Sequence, residues 1–460
     1  MTDKAINQRI KKIALLHPLG SGNHGDNACL NAIMRNITSR WPGATIFGIT
    51  NDPADTQKRH GIPSYAIRYQ TWTAGNSLKN SRVSLKEKLK LSALRYSLIF
   101  RLLRAISAVA IKAPRTLVKE SVFLPKSFCI IKSLDLLVIC RGGQTIEEMW
   151  KPQSFPFAVF KWALLARMAG VKCIALNVSA DTNSRILSNY LFRGTLLLAD
   201  YVAFRDLASK ALALSLGFNG KPYEFPDSTY SLEIPVSKSD EIAKRKGAIV
   251  GVAPMSFGGK KRALYNGFIQ QLYQFSSWLV RNHYCLTFFC TDISTDPAAI
   301  EVLETAFKTR NHAVGDIPVD SVHRVHQWSH TELLSNMSGM DYVITCRYYG
   351  VVLAHLLNIP VIAISHNPQV RLLMNDLGLS RYCLDVQECD VNALKAAFAR
   401  LVSDREEIKS CMAKRLEYYQ GQLSTQFDEL FARELPSNEV PAGFPIPISD
   451  EPKAVPIWPR

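Results

Sequence analysis

Two arginines in this chain stand directly behind short apolar runs, in Phe204-Arg205-Asp206-Leu207-Ala208-Ser209 and in Cys346-Arg347-Tyr348-Tyr349-Gly350. A residue that ends a strand of a parallel sheet lies on the side where such sheets take their ligands. The arginine fork matches a carboxylate or phosphate with two parallel hydrogen bonds. Arg205 and Arg347, facing each other, would therefore suit a small polyanion. The plainer alternatives are an Arg205–Asp206 structural pair and a packed helix start at Arg347. Asp206 is also placed to cap the helix that follows it. Tyr349 can donate a hydrogen bond, but a phenol with a pKa near ~10 is a poor general acid at neutral pH.

Two glycine-rich turns also follow apolar runs. The first is Gly20-Ser21-Gly22-Asn23-His24-Gly25-Asp26, and the second is Arg141-Gly142-Gly143-Gln144. Backbone N–H groups in such a turn can approach an anion at the start of a helix. Asp26 is expected as the cap of that helix. The spacing is neither that of a dinucleotide fingerprint nor that of a P-loop. Plain tight turns without a ligand are the alternative. His323, His326 and His330 recur at helical spacings, yet Arg324 and Trp328 interleave and carboxylates are few. No metal site is expected there, and nothing in the sequence asks for a cofactor. The ten cysteines form no CxxC pair, so buried reduced thiols are expected.

The elements that must hold these residues are legible as alternating apolar strands and helical patterns. Strands are expected at Lys12–His17, Leu134–Cys140, Val171–Val178 and Tyr201–Phe204, and again at Ala248–Ala253, Cys285–Cys290, Asp341–Cys346 and Val361–Ser365. Helices are expected between them, and one long helical stretch over about Val391–Phe431. Strands that are apolar throughout, separated by helices, indicate parallel sheets covered on both faces. The expected fold is α/β, with two doubly wound Rossmann-like domains facing across a cleft. The polar stretch Glu233–Lys246 reads as the linker. The domains are then 1–232, with a basic insertion at 79–132, and 247–400, followed by a helix over 401–433 and a Pro-rich tail over 434–460.

The 460 residues carry a net charge of +16, and 47% of them are hydrophobic. Between Lys79 and Lys132 thirteen Lys and Arg stand against two acids, Glu87 and Glu120. The stretch Leu91–Arg104 interleaves Leu, Ile and Phe with Arg, as an amphipathic helix at an anionic membrane surface does. No nucleic-acid motif accompanies the charge, so nucleic acid is not expected as a partner. No apolar run is long enough for a membrane span or a signal peptide. The expectation is a cytoplasmic protein, peripheral at the inner membrane face through 79–132.

Taken in order, these motifs resemble the polysaccharide pyruvyl transferase family. The family's opening G-x-G-N-x-G-D turn is matched by Gly20 to Asp26, and its glycine run by Arg141-Gly142-Gly143-Gln144, with Arg in place of one glycine. Its Arg-Asp-x-x-Ser is matched by Arg205-Asp206-Leu207-Ala208-Ser209, and its lone aspartate by Asp227. Its Arg-x-His-Gly reads Arg347-Tyr348-Tyr349-Gly350 here, and its Pro-Lys step reads Pro368-Gln369. The resemblance implies a glycosyltransferase-B-like architecture. It also implies transfer of the enolpyruvyl carbons of phosphoenolpyruvate onto two hydroxyls of a sugar as a cyclic ketal. Arg205 and Arg347 would hold the donor. The Gly22, Asn23, Gly25 and Asp26 turn would face the sugar or lipid-linked oligosaccharide acceptor. Tyr349 and Gln369 stand where the family has His and Lys, and each hydrogen bond to a charged ligand is worth ~1.5–3 kcal/mol. His355 and His366 lie near enough in sequence to replace the histidine. The rival functions are a nucleotide-sugar glycosyltransferase of the same architecture, with Glu332 as a ribose contact, and a non-catalytic polysaccharide-assembly protein.

Overall fold

The structure, a computed structural model, describes residues 11–17, 22–69, 115–140, 155–180, 186–234, 247–256, 262–314, 322–324 and 329–431. The turn at 141–144, most of the basic segment, the linker and the tail lie outside these residues. So do Gly142, Gly143 and Gln144, and the amphipathic stretch at 91–104.

The chain divides into two compact units, Met1–Gly20 with Ile33–Asp227 and Ser21–Ala32 with Ser228–Arg460. The first unit is built on β1 (Lys12–Leu16), β2 (Thr45–Thr50), β3 (Ser64–Ala66), β4 (Leu136–Cys140), β5 (Lys172–Val178), β6 (Tyr201–Phe204) and β7 (Pro222–Glu224). They form one sheet in the order β3-β2-β1-β4-β5-β6-β7, with every pairing parallel. β4 reads Leu-Leu-Val-Ile-Cys and is buried at all five positions, as a strand with helices on both faces requires. Around the sheet lie α1 (His24–Arg40), of which 33–40 belongs to this unit, α2 (Pro53–His60), α3 (Arg115–Lys132), α4 (Phe155–Ala169), α5 (Ile186–Leu198) and α6 (Leu207–Ser215). Trp162, fully buried, anchors α4 against Phe123 of α3, and its indole donates to the Ile67 carbonyl at 3.0 Å. Burying each large apolar side chain of this kind is worth ~1.5–3 kcal/mol.

The second unit carries β8 (Ile249–Ala253), β9 (Cys285–Phe288), β10 (Val322–Arg324), β11 (Tyr342–Thr345), β12 (Val361–Ser365) and β13 (Cys383–Asp385) in the order β10-β9-β8-β11-β12-β13, again all parallel. Its helices are α7 (Arg262–Arg281), α8 (Pro297–Val314), α9 (His330–Met337), α10 (Tyr348–Leu356), α11 (Pro368–Asp376), α12 (Val391–Ser403) and α13 (Arg405–Leu430), with a short 3-10 turn at Ser228–Ser231. Phe398 of α12 collects edge-on contacts from Phe275, Trp278, Tyr284 and Tyr342, which seats α12 on α7 and the sheet.

Three expectations change. The long C-terminal helix is two helices, broken at Asp404, whose carboxylate accepts from Tyr382 Oη at 2.6 Å. His323 lies in β10 and His330 opens α9, so the two do not share a helix; His326 is outside the described residues. The helix behind the first glycine turn starts at His24, with Asn23 rather than Asp26 in the capping role.

Candidate functional site

In each sheet the strand order reverses direction at one point, between β1 and β4 in the first and between β8 and β11 in the second. Ligands of doubly wound sheets sit beyond the carboxyl ends of the strands at such a point. Arg347 lies two residues beyond β11, at the start of α10, so it stands at the switch point of its sheet.

Its surroundings fix it. The backbone N–H of Arg347 donates to Thr345 Oγ1 at 3.1 Å. A side chain at Gly350 would collide with the same threonine, so the first turn of α10 needs glycine there. The Arg347 guanidinium donates from Nε and Nη2 to Asp296 Oδ1 at 3.2 and 2.5 Å, and from Nη2 to Thr295 Oγ1 at 2.7 Å. Asp296 is fully buried, whereas the arginine side chain keeps 25% of its surface exposed. Nη1 makes no bond among the described residues. Burial raises the Asp296 carboxyl above the usual range, with the Arg347 charge opposing. Cys346, next to it, is also pushed up by burial and is no nucleophile.

Asp296 closes a loop that follows β9. Asp292 N donates to Asp296 Oδ2 at 3.3 Å, and Ser294 N donates to Asp292 Oδ1 at 3.0 Å. The first glycine turn pairs with this loop. His24 N donates to the Thr291 carbonyl at 2.8 Å, and Ile293 N donates to the Gly22 carbonyl at 3.1 Å, with Asn23 and Asp292 as bridge partners. Gly22 has φ +72° and lies against Ile293, so glycine is required there twice over. Asn23 Oδ1 accepts from Gly25 N at 2.9 Å and Asp26 N at 3.2 Å, which caps α1. Asp26 is buried in the first turn, where the helix dipole favours an acid. The Tyr349 ring fills the space beside Gly25, leaving no room for a Cβ. Gly22 to Asp26, expected toward the acceptor on the first domain, thus belongs with Arg347 and Tyr349 in the second unit.

Arg205 occupies a different setting. Its side chain is 1% exposed and pairs with Asp227, itself fully enclosed, at 3.2 Å. Nη2 donates to Ser179 Oγ at 3.0 Å, and Asn177 Nδ2 donates to Asp227 Oδ2 at 3.3 Å. The neighbouring motif residues knit the sheet: Asp206 Oδ1 accepts from Ser209 N at 2.7 Å, and Ser209 Oγ accepts from Ala180 N at 2.8 Å. The residues expected on a ligand, Arg205 and Asp227, are on each other.

The remaining candidates divide similarly. Gln369 is half-buried in the first turn of α11, behind the Asn367 cap. His355 does not reach a ligand. It is buried, its Nε2 donates to the Met412 carbonyl at 2.9 Å, and its ring packs edge-on against Tyr230 and Tyr419. Burial lowers its pKa to about 4. His366 is half-buried at the end of β12 and accepts from Asn367 Nδ2 at 3.2 Å. His330 Nε2 accepts from Asn31 Nδ2 at 3.0 Å. Glu332 is occupied in a capping box with Ser329. Among the described residues no group of three His, Cys, Asp or Glu side chains is arranged for a metal ion, and no helix is long and apolar enough to cross a membrane.

Thr295 and Asp296 are the site residues that sequence reasoning missed. The available signal was only their place in the loop behind the expected strand Cys285–Cys290, with Asp296 six residues beyond it.

Among solved structures, the chain resembles the UDP-GlcNAc 2-epimerase of Neisseria meningitidis, with 10% identity and a TM-score of 0.56, covering 92% of this chain and 100% of that one. A sucrose-phosphate synthase from Thermosynechococcus elongatus aligns with 15% identity and a TM-score of 0.51, over 92% and 98% of the two chains. A trehalose-6-phosphate synthase aligns with 11% identity and a TM-score of 0.54, over 93% and 100%. At such identities these likenesses establish the fold alone, a glycosyltransferase-B-type α/β architecture with two Rossmann-like units. No curated protein matches the sequence. The family model described as polysaccharide pyruvyl transferase matches residues 23–368, from the Asn23 cap to the start of α11, and the chain belongs to that family.

Proposed function

We propose that this transferase moves the pyruvyl group of phosphoenolpyruvate onto a sugar of a cell-surface or extracellular polysaccharide precursor, forming a cyclic ketal. The single observation that carries the reading is Arg347. It lies within the family match, at the switch point of its sheet, with two of its nitrogens fixed and the third left for an anion. In the reaction two sugar hydroxyls bond to C2 of phosphoenolpyruvate. One of their protons ends on C3, turning the methylene into a methyl group, and the other leaves with phosphate. The C2–O bond to phosphate breaks, and no oxidant or reductant is needed. Arg347 would meet the negative charge of the donor, where a fixed cation outside bulk water is worth most. Tyr349 offers shape rather than charge, since its ring is packed against Gly25. The acceptor would be a sugar or a lipid-linked oligosaccharide, brought within reach at an anionic membrane surface by the basic segment 79–132.

The test is calorimetric titration of phosphoenolpyruvate into wild type, Arg347→Ala and Tyr349→His. Binding by wild type and its loss in Arg347→Ala is the expected result. Binding by Tyr349→His alone would mean that this chain has left the family's donor. A second reading, use of a nucleotide sugar, has the fold in its favour, because the solved neighbours include an epimerase bound to UDP-GlcNAc. Saturable binding of UDP, without binding of phosphoenolpyruvate, would select it.

A further inference from the structure

We propose that Asp296 is a positioning residue for the anion-binding arginine, held in place by the glycine turn that opens the family motif. This rests on the reading of Arg347 as the donor arginine. One bonded path runs through the second unit. The Gly22–His24 backbone pairs with Thr291–Ile293, the Asp292 N–H donates to Asp296, and Asp296 accepts from two nitrogens of Arg347. Thr295 takes a second bond from Nη2 on the same edge. A guanidinium bound along one edge can neither rotate about its Cδ–Nε bond nor swing out to solvent. Its opposite corner, Nη1, is then presented in one orientation. Unheld, the long arginine side chain would give up rotamer freedom on capturing a ligand, which weakens binding.

The glycine turn therefore acts on the donor side, through the loop behind β9, without touching an acceptor. Its residue types follow from that task. Gly22 must lie against Ile293 with a positive φ, Asn23 must cap α1 while pairing with Asp292, and Gly25 must admit the Tyr349 ring.

Charge and geometry make opposite forecasts for Asp296→Asn. If the carboxylate acted only through its charge, removing a negative group beside a cation would tighten the binding of an anion. If it positions Arg347, binding loosens despite the favourable change of charge. The full chain is labelled with ¹⁵N-arginine, and the Arg347 Nε–Hε signal is assigned by its loss in Arg347→Lys. Solvent exchange of that proton is measured without ligand, and phosphoenolpyruvate is titrated by calorimetry at low ionic strength. For Asp296→Asn we expect about tenfold faster exchange and about tenfold weaker binding, a pattern that loss of one charge-assisted hydrogen bond explains. Thr295→Val, which removes a bond and no charge, should move both in the same direction by less, and it serves alone if Asp296→Asn fails to fold. Unchanged exchange, or equal or tighter binding, overturns the proposal. If wild type does not bind phosphoenolpyruvate, the pyruvyl reading fails by itself. The exchange rate then decides the role of Asp296: faster exchange supports it and unchanged exchange removes it.

Discussion

Arg205 and Arg347 stand one and two residues beyond the carboxyl end of a parallel strand, yet they have opposite surroundings. Arg205 is closed in on every side by Asp227, Ser179 and the end of its own sheet. Arg347 is held along one edge and left open along the other. The same residue type behind a parallel strand can thus serve as a pin in one unit and as a handle in the other. What separates them is enclosure: the Arg205 side chain is 1% exposed, whereas Arg347 keeps 25% of its side-chain surface open.

The largest effect should come from unpinning Arg205. Arg205→Ala strands the Asp227 charge in the interior and should cost about 3–5 kcal/mol in chemical denaturation, whereas Arg205→Leu with Asp227→Leu should recover most of it. A cost below about 1 kcal/mol for the single change would break the comparison, because Arg205 would then be no pin. Next is His355, an enclosed group that tests the same principle without an arginine. Its folded pKa of about 4 lies below the unfolded value near 6.5. Its neutral form is the native one, so its contribution is complete above pH 6.5 and is lost as pH falls toward 4. At about 1.4 kcal/mol for each pH unit, the loss approaches about 3 kcal/mol. Urea denaturation between pH 7 and 4 should show that slope in wild type and a flatter one in His355→Gln.

Gly25→Ala drives a methyl group into the Tyr349 ring and should cost about 1–3 kcal/mol. Combining it with Tyr349→Ala should return part of that cost, and simple additivity in the double-mutant cycle would deny the contact. The smallest effect on stability belongs to the handle itself. Arg347→Ala should cost about 1–2 kcal/mol, since water can reach the gap and Asp296, raised by burial, can take up a proton. Its binding of phosphoenolpyruvate should nonetheless fall below detection. Asp296→Asn should cost even less at pH 8. A buried carboxyl whose pKa is raised weighs against the fold when ionised, and that burden lifts as pH falls through its folded pKa.

The sheets were legible because their longer strands are apolar at most positions. Tyr201–Phe204 and Val361–Ser365 begin and end where the sequence places them. The three-residue strands β3, β7, β10 and β13 were not, since so few residues carry no periodicity. Thr45–Thr50, although longer, was also missed; its central Gly48 interrupts a run of β-branched and aromatic residues. Arg347 could be singled out because its position behind β11 is a local property. Its grip by Asp296 could not, because that contact joins loops behind two strands separated by β8 in the sheet. The role of Asp227 was equally hidden, since a lone aspartate looks the same whether it meets a substrate or an arginine.

The grouping of Ser21–Ala32 with the second unit has a consequence for how the protein is made. A ribosome releases Gly22 to Asp26 long before Thr291 and Asp292 emerge, so the opening turn must wait for its partner loop through most of synthesis. The second unit therefore cannot be finished as a contiguous piece. Expressed from Ser228 onward, it would carry Arg347 and Asp296 but lack the segment that pairs with their loop. Fusing 21–32 directly ahead of 228 would supply the missing segment within one translated stretch.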